Sequence, residues 1–206
     1  MASWTGVKGS IAALCALFIS ANTAIPAQAG SSPYMQTGAA TSQPIGHYEF
    51  CQKYKSECNV RSKGTVAPRV TERGWATIRQ VNAAVNREIM PVTDLELHGR
   101  DEVWSYPDKA GDCEDFVLEK RKRLMNKGFS ASDLLITVVR KPDGEGHAVL
   151  TVRTSQGDFI LDNLENGVKL WTNTPYRYLK RQASNHSGRW VTIQNGAEVV
   201  VGSVGN

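Results

Sequence analysis

Apolar residues recur every three or four positions along residues 71–90, which read TERGWATIRQVNAAVNREIM. This spacing predicts an amphipathic helix, and Pro91 then ends it. A second helix is predicted over residues 113–127, with Asp112 as its N-cap residue and Asp115 in the capping-box position. Each helix has an apolar side suited to packing against a core.

From residue 134 onward the pattern changes to short β-type runs. Residues 134–140 (LLITVVR), 147–153 (HAVLTVR) and 158–164 (DFILDNL) are separated by turn sequences. These runs predict an antiparallel meander. Three later segments are expected to extend the same sheet: 176–182, 189–194 and 198–201. A helix-rich first half followed by a strand-rich second half predicts an α+β domain.

The first 29 residues have the layout of an export signal. Lys8 supplies a positive start, residues 11–21 are apolar, and Ala27-Gln28-Ala29 is a small-x-small cleavage site. The apolar stretch is too short to span a bilayer. An uncleaved anchor helix is the alternative. We therefore predict a periplasmic or secreted protein with no stable membrane insertion after signal cleavage.

Composition divides the rest of the chain into two parts. Residues 30–46 are rich in Gly, Ser, Ala, Thr and Pro, which predicts a flexible lead-in before an ordered domain over residues 47–206. Signal cleavage removes Lys8, so 24 basic side chains become 23 against 20 acidic ones. This near balance indicates no nucleic-acid partner, and the KRKR run at residues 120–123 is expected to be a solvated helix face.

The cysteines leave one thiol unpaired after export. Cys15 lies in the predicted signal, and Cys51, Cys58 and Cys113 remain. Cys51 and Cys58 are seven residues apart and are expected to form a disulfide, although pairing of either one with Cys113 stays open. In an oxidising compartment, the Cys51–Cys58 pairing leaves Cys113 as a free thiol of functional interest.

Cys113 lies at a predicted helix start, within the stretch AGDCEDFVLEK at residues 110–120. The helix dipole and the unpaired backbone N–H groups there favour a thiolate, whereas the neighbouring carboxylates oppose it. A small buried side chain is the structural alternative. A cysteine nucleophile also needs a base, and the base usually needs an orienting partner.

His147 is the candidate base, because it opens a predicted strand whereas the other three histidines lie in polar, turn-like contexts. A four-residue hairpin loop would pair Arg153 with Asp158. In that register His147 and Asp162 are diagonal neighbours within side-chain reach. Asp162 lies in an otherwise apolar run, where a carboxylate needs a partner, although it could instead begin a turn. The residues thus predict a triad with Cys113.

Three motifs occur in order along the chain: GDCEDF at 111–116, GHAVLTV at 146–152 and LDNL at 161–164. Together they resemble the bacterial transglutaminase-like cysteine proteinases, a group that includes the LapG-type periplasmic cysteine peptidases. The resemblance covers about residues 50–194. It implies a papain-like or transglutaminase-like α+β core in which the nucleophile helix packs on an antiparallel sheet.

The resemblance also implies roles for individual residues. Cys113 corresponds to the nucleophile, His147 to the base and Asp162 to the orienting acid. Trp104, nine residues before the nucleophile, is expected to be a packed aromatic side chain, and the alternative is that it lines the site or helps to shape an oxyanion hole.

Calcium is a further implication, since LapG-type members depend on calcium and cut surface adhesins in the periplasm. The candidate ligands are Asp112, Glu114 and Asp115, whose oxygens suit this ion. Three carboxylates are too few for a full shell, so backbone carbonyls, the 94–108 loop or water would supply the rest. The alternative is that Asp112 and Asp115 only cap the helix.

The sequence therefore predicts an exported cysteine peptidase that cleaves a protein substrate, such as a cell-surface or secreted protein, through an acyl-enzyme. One alternative keeps the triad and acts on glutamine side chains as a transglutaminase or deamidase. Another is a catalytically silent, calcium-dependent binding module. The intact set of Cys113, His147 and Asp162 favours an enzyme.

Overall fold

The structure is a computed structural model that describes residues 1–3, 6, 32–63 and 66–194. The chain divides into two units, residues 1–30 and 31–206, and the elements below belong to the second. Apart from residues 1–3 and 6, the predicted export signal lies outside the described residues, as does the predicted strand 198–201. Within the described ranges, no helix has the length and apolar character needed to cross a membrane.

Helices and strands follow one another in the order expected of an α+β chain. The described ranges contain the helices α1 (Ile45–Lys53), α2 (Glu72–Glu88), α3 (Asp94–His98) and α4 (Cys113–Asn126). Their strands are β1 (Thr37–Thr41), β2 (Met90–Pro91), β3 (Ala110–Gly111), β4 (Leu134–Arg140), β5 (Gly146–Thr154), β6 (Gly157–Leu161), β7 (Lys169–Leu170), β8 (Arg177–Ala183) and β9 (His186–Ile193). The α+β prediction is confirmed.

Seven strands form one antiparallel sheet in the order β1-β9-β8-β4-β5-β6-β7, and β2 pairs with β3 in parallel. The predicted meander is confirmed, since β4, β5 and β6 are successive neighbours. Arg153 pairs with Asp158 as expected. Thr154 also pairs with Gly157, so the turn between these strands is shorter than the predicted four-residue loop.

The predicted flexible lead-in does not hold for residues 32–46, the part of that segment that the structure describes. Strand β1 pairs with β9 inside that segment, and α1 begins at Ile45. The Met35 side chain is buried, and its backbone N–H donates to the Asp158 carboxylate at 2.9 Å. Composition does not reveal this order, because β1 reads TGAAT and its small side chains resemble those of a linker. The ordered domain therefore begins before His47.

The sheet buries apolar side chains on both faces, because successive strand residues point in opposite directions. On one face, Leu150 and Leu161 join the cluster that includes the apolar sides of α2 and α4. On the other face, Val149 and Ile160 pack in a smaller cluster that includes Met35. The N-terminal segment thus helps to close the face opposite the helices.

The start of the nucleophile helix is as predicted, and α4 runs over nearly the predicted range. The solvated face predicted for residues 120–123 is wrong at its first two positions, since Lys120 is 0% and Arg121 is 3% exposed. Arg121 donates from Nε to the Leu134 carbonyl at 3.0 Å and pairs with Glu57 at 3.5 Å. The spacing of both residues from Phe116, Val117 and Leu124 places them on the buried side of α4, and the run of basic residues concealed this.

The predicted disulfide joins Cys51 and Cys58, with 5.6 Å between their Cα atoms. It closes the end of α1 against the segment that carries Glu57. Cys113 is the free cysteine of the described ranges. Burial lowers the pKa of the neighbouring His47 to about 3, so this imidazole stays neutral inside the core.

Candidate active site

A histidine and an aspartate form a buried pair at the adjoining ends of β5 and β6. His147 Nε2 lies 2.9 Å from Asp162 Oδ1, and both side chains are 4% exposed. The paired residues Leu150 and Leu161 set the register, which places His147 and Asp162 diagonally, as the sequence predicted. With Nε2 engaged by the carboxylate, Nδ1 is the ring nitrogen left for proton transfer.

Several donors hold the Asp162 carboxylate. The Tyr176 hydroxyl donates to Oδ2, and the Leu164 N–H donates to Oδ1 at 3.0 Å. The Asn86 side chain donates to the Asp162 backbone carbonyl at 2.8 Å, which ties this position to α2. Burial by itself would raise the pKa of Asp162, but the hydrogen bonds, led by that from His147, hold the pKa below its usual value.

Cys113 is the first residue of α4 and lines the same cleft as His147. Its thiol donates to Glu114 Oε2 at 3.0 Å. Burial, followed by the negative charge of Glu114, raises the pKa of the thiol well above its usual value, although the Ala148 N–H donates to the sulfur and opposes this rise. The expected preference for a thiolate at the helix start is therefore outweighed by burial and by the Glu114 carboxylate.

Three carboxylates converge beside the nucleophile. Oxygens of Asp94, Asp112 and Asp115 lie within 4.8 Å of one another. The Ser105 N–H donates to Asp115 Oδ1 at 2.8 Å, and the Val103 N–H donates to Asp94 Oδ2. The Oδ1 atoms of Asp94 and Asp112 are buried, with no hydrogen-bond partner in the described ranges. The described hydrogen-bond donors therefore leave some of the carboxylate oxygens in this cluster without a partner.

Burial raises the pKa of Asp112 to about 7 and that of Asp115 to about 7, and it also raises the pKa of Asp94. Neighbouring carboxylates add to each rise. Asp112 occupies the predicted N-cap position of α4, although the geometry gives its side chain no capping hydrogen bond. The Asp115 carboxylate accepts from the loop residue Ser105. Oxygen ligands in this arrangement suit a divalent cation.

The cluster differs from the predicted ligand set in one residue. Glu114 bonds to the Cys113 thiol and belongs to a separate group with Asp112, whereas Asp94 takes part in the three-carboxylate cluster. Asp94 lies at the edge of the 94–108 loop from which further ligands were expected. The sequence signal for its position was the T-D-L-E run at 93–96, which is a capping box that fixes the start of α3.

Tyr176 was not predicted as a site residue, because nothing in the local pattern relates the segment before β8 to the β5–β6 hairpin. Trp104 is a packed aromatic residue as expected, with its ring centroid 5.4 Å from that of His47. The cleft that contains Cys113 and His147 has a volume of about 310 Å³ and is also lined by Leu164. A thiol, an oriented imidazole and an adjacent cleft are suited to acyl transfer.

Comparisons with known proteins bear on the family of this chain. The family model for the bacterial transglutaminase-like cysteine proteinase BTLCP matches residues 37–198. The chain is similar to the calcium-bound structure of Legionella pneumophila LapG, with 25% identity and a TM-score of 0.50, covering 57% of this chain and 68% of that one.

An EGTA-treated structure of Legionella pneumophila LapG aligns at 25% identity with a TM-score of 0.49, over 57% of this chain and 66% of that one. No curated protein matches the chain by sequence. The family match begins at Thr37, the first residue of β1, and includes all the strands of the main sheet. The chain belongs to the bacterial transglutaminase-like cysteine proteinases and is a cysteine peptidase of that family.

Proposed function

We propose that this protein is an exported peptidase that cleaves a protein substrate through an acyl-enzyme on Cys113. His147 acts as base and then acid, and Asp162 orients His147. The observation that carries the proposal is the buried 2.9 Å bond between His147 Nε2 and Asp162 Oδ1, at the side of a cleft that also contains the free thiol. Family membership supports the same chemistry.

The reaction follows from the position of each group. Nδ1 of His147 takes the thiol proton as Cys113 Sγ bonds to the carbonyl carbon of the scissile peptide. Backbone N–H groups at the start of α4 stabilise the oxyanion. The imidazolium then gives its proton to the leaving amine, and the C–N bond breaks. A water molecule then loses a proton to Nδ1 and attacks the thioester carbon. The C–S bond breaks, the imidazolium returns its proton to Cys113 Sγ, and the carboxylic acid is released.

Calcium is the cation that we propose for the cluster of Asp94, Asp112 and Asp115. The fit rests on two buried carboxylate oxygens that have no hydrogen-bond partner among the described residues, the raised pKa of all three acids and an all-oxygen ligand set. When bound, the ion supplies positive charge that offsets the carboxylates opposing the thiolate. The similarity to a calcium-bound LapG structure supports this choice.

The test compares surface and secreted proteins of wild-type cells with those of cells carrying Cys113→Ala, with and without a calcium chelator. We expect uncut substrate to accumulate in the variant and after chelation. His147→Ala should behave like Cys113→Ala. His186→Ala is the matched control, because His186 is absent from the residues that line the Cys113 cleft.

Mass spectrometry of the proteins that differ identifies the reaction. Chain cleavage supports the peptidase. Isopeptide crosslinks or glutamine-to-glutamate conversion would instead indicate a transglutaminase or a deamidase. Identical protein profiles, together with failure of a thiol-directed suicide inhibitor to label native Cys113, would indicate a binding module and would refute the proposal.

A further inference from the structure

Tyr176 contacts both the acid and the base of the proposed triad, although the reaction above assigns it no step. It lies just before β8, and its hydroxyl donates to Asp162 Oδ2. Its ring is tilted against the imidazole of His147, with 5.5 Å between ring centroids and 58° between planes. One side chain therefore contacts two neighbouring members of the triad.

The two oxygens of Asp162 have different partners. Oδ1 receives hydrogen bonds from His147 Nε2 and from the Leu164 N–H, whereas the donor to Oδ2 in the described ranges is Tyr176. A buried carboxylate oxygen without a donor is costly. Without the hydroxyl, rotation of the carboxylate to find another donor would remove Oδ1 from its position against Nε2.

The Tyr176 hydroxyl remains a donor over the working pH range. Burial, followed by the hydrogen bond to Asp162 and the negative charge of that residue, raises the pKa of this phenol well above its usual value. Two other charged side chains line the cavity beside it, but Glu165 and Lys169 pair with each other at 2.7 Å. The phenol is therefore a permanently neutral donor to a charged acceptor, which makes a strong hydrogen bond.

We infer that Tyr176 is a positioning residue for the triad. Its hydroxyl fixes the rotation of the Asp162 carboxylate, and its ring restricts the plane of His147, so that Nδ1 stays directed at the nucleophile. This inference rests on the proposed function. It goes beyond that function by assigning the orientation of the base to a residue outside the triad.

The first test is a spectroscopic signature. The wild-type protein should show a low-field proton resonance from the Nε2–H that bonds to Asp162, assigned by its loss in His147→Gln. Tyr176→Phe removes only the hydroxyl and should broaden or abolish this resonance. Tyr178→Phe is the matched control, because Tyr178 is buried two residues further on and its hydroxyl bonds to Thr174 at 2.8 Å. An unchanged resonance in Tyr176→Phe would overturn the inference.

The second test measures alkylation of Cys113 by iodoacetamide in the full chain at saturating calcium, followed by mass spectrometry of the Cys113 peptide. Tyr176→Phe should slow the reaction about tenfold, the effect of losing one hydrogen bond to a charged group. Tyr178→Phe should stay within about twofold of wild type. A positioning role acting through Asp162 predicts that Tyr176→Phe adds almost nothing in an Asp162→Asn background.

The outcomes distinguish failure of the Tyr176 inference from failure of the proposed triad. Equal slowing by Tyr176→Phe in both backgrounds would indicate a merely structural role and would overturn the inference. If His147→Gln alkylated as fast as wild type, the triad itself would fail. The proton resonance would still decide whether Tyr176 orients His147.

Discussion

Lys120 puts an amine inside the core, on α4 two helical turns after Cys113. Its side chain is 0% exposed, and Nζ has no hydrogen-bond partner in the part of the chain that the structure describes. Burial lowers the pKa of Lys120 to about 7, and the negative charge of Asp162 works against this shift. Folding therefore favours the neutral amine, because an unpaired buried ammonium is strongly disfavoured.

Lys120→Met should stabilise the protein at low pH. Between about pH 7 and 10.5 the unfolded chain holds a proton that the folded chain has released, so the wild-type free energy of unfolding increases with pH there. The gain in the variant should be about 2 kcal/mol below pH 7 and should shrink towards pH 10. Urea unfolding at pH 6 and pH 10 measures both values.

Lys122→Met is the control for this prediction, because Lys122 lies on the same helix and is exposed. It should change the free energy of unfolding little at either pH. If Lys120→Met lowered the free energy of unfolding equally at pH 6 and pH 10, the buried amine would stabilise the fold and the prediction would be wrong.

The acid cluster gives the opposite pH dependence. Burial raises the pKa of Asp112 and that of Asp115 to about 7 in the folded chain, against an ordinary value of 3.8. The folded chain thus keeps protons that the unfolded chain has lost, so metal-free stability should fall as the pH rises from about 4 to 7. In EGTA, the Tm should therefore be higher at pH 5 than at pH 8. Calcium at 100 times its Kd should add about 2.7 kcal/mol at pH 8.

Asp94→Asn separates charge repulsion from metal binding in the same cluster. It should raise the metal-free Tm at pH 8, because it removes one of the three carboxylates, and it should reduce the calcium-dependent shift. Asp108→Asn is the control, since Asp108 is an exposed acid of the same loop. Equal calcium shifts in wild type and Asp94→Asn would contradict the proposed ligand set.

Helices and strands with a strong apolar period could be predicted from the sequence, whereas elements fixed by contacts between distant parts of the chain could not. Helix α2 and strands β4 and β5 match the predicted elements closely. The helix packs one apolar face into the core, and each strand packs a nearly continuous buried run. The hairpin register also followed from local turn chemistry, which was enough to predict that His147 lies near Asp162. Short α3 escaped detection because its five residues contain too little periodicity.

The site was predictable where its residues lie within one motif or one hairpin. Tyr176 joins it only because the chain returns from another element, and no local pattern encodes such a return. Asp94 lies in the loop expected to supply further ligands, but its T-D-L-E run indicates only the start of a helix. Lys120 was missed for another reason. Its spacing from Phe116 and Leu124 places it on the buried side of α4, but its run of basic residues suggested a solvated surface.

Gly111 ends β3 two residues before α4 begins, and its lack of a side chain leaves room for the Asp115 carboxylate. A Cβ placed there would lie 2.5 Å from Asp115 Oδ2, so any larger residue must displace that carboxylate. Gly111→Ala should therefore weaken calcium binding measured by calorimetry and lower the Tm. Gly146→Ala is the matched control near the same cleft, because a Cβ there meets no atom within 4 Å. Similar calcium affinity in both variants would show that Asp115 can move without loss of the site.

On the scale of the whole molecule, different parts of the chain cover the two faces of the sheet. The face covered by α2 and α4 carries the nucleophile at the start of α4. The opposite face is closed partly by the segment that precedes α1, through Met35 and the strand pairing of β1 with β9. The smaller apolar cluster would be opened by loss of that segment, since Met35 belongs to it.

A chain that begins at His47 should therefore be less stable than one that begins at Gly30. The shorter chain loses β1 and the Met35 N–H that donates to Asp158, a carboxylate buried beside Arg181 at 3.1 Å. Losing this strand and its apolar contact should lower the Tm by several degrees and increase binding of a hydrophobic dye. Thermal unfolding and dye fluorescence of the two chains measure this. If both chains unfolded at the same temperature without binding dye, residues 30–46 would behave as the linker that their composition suggests.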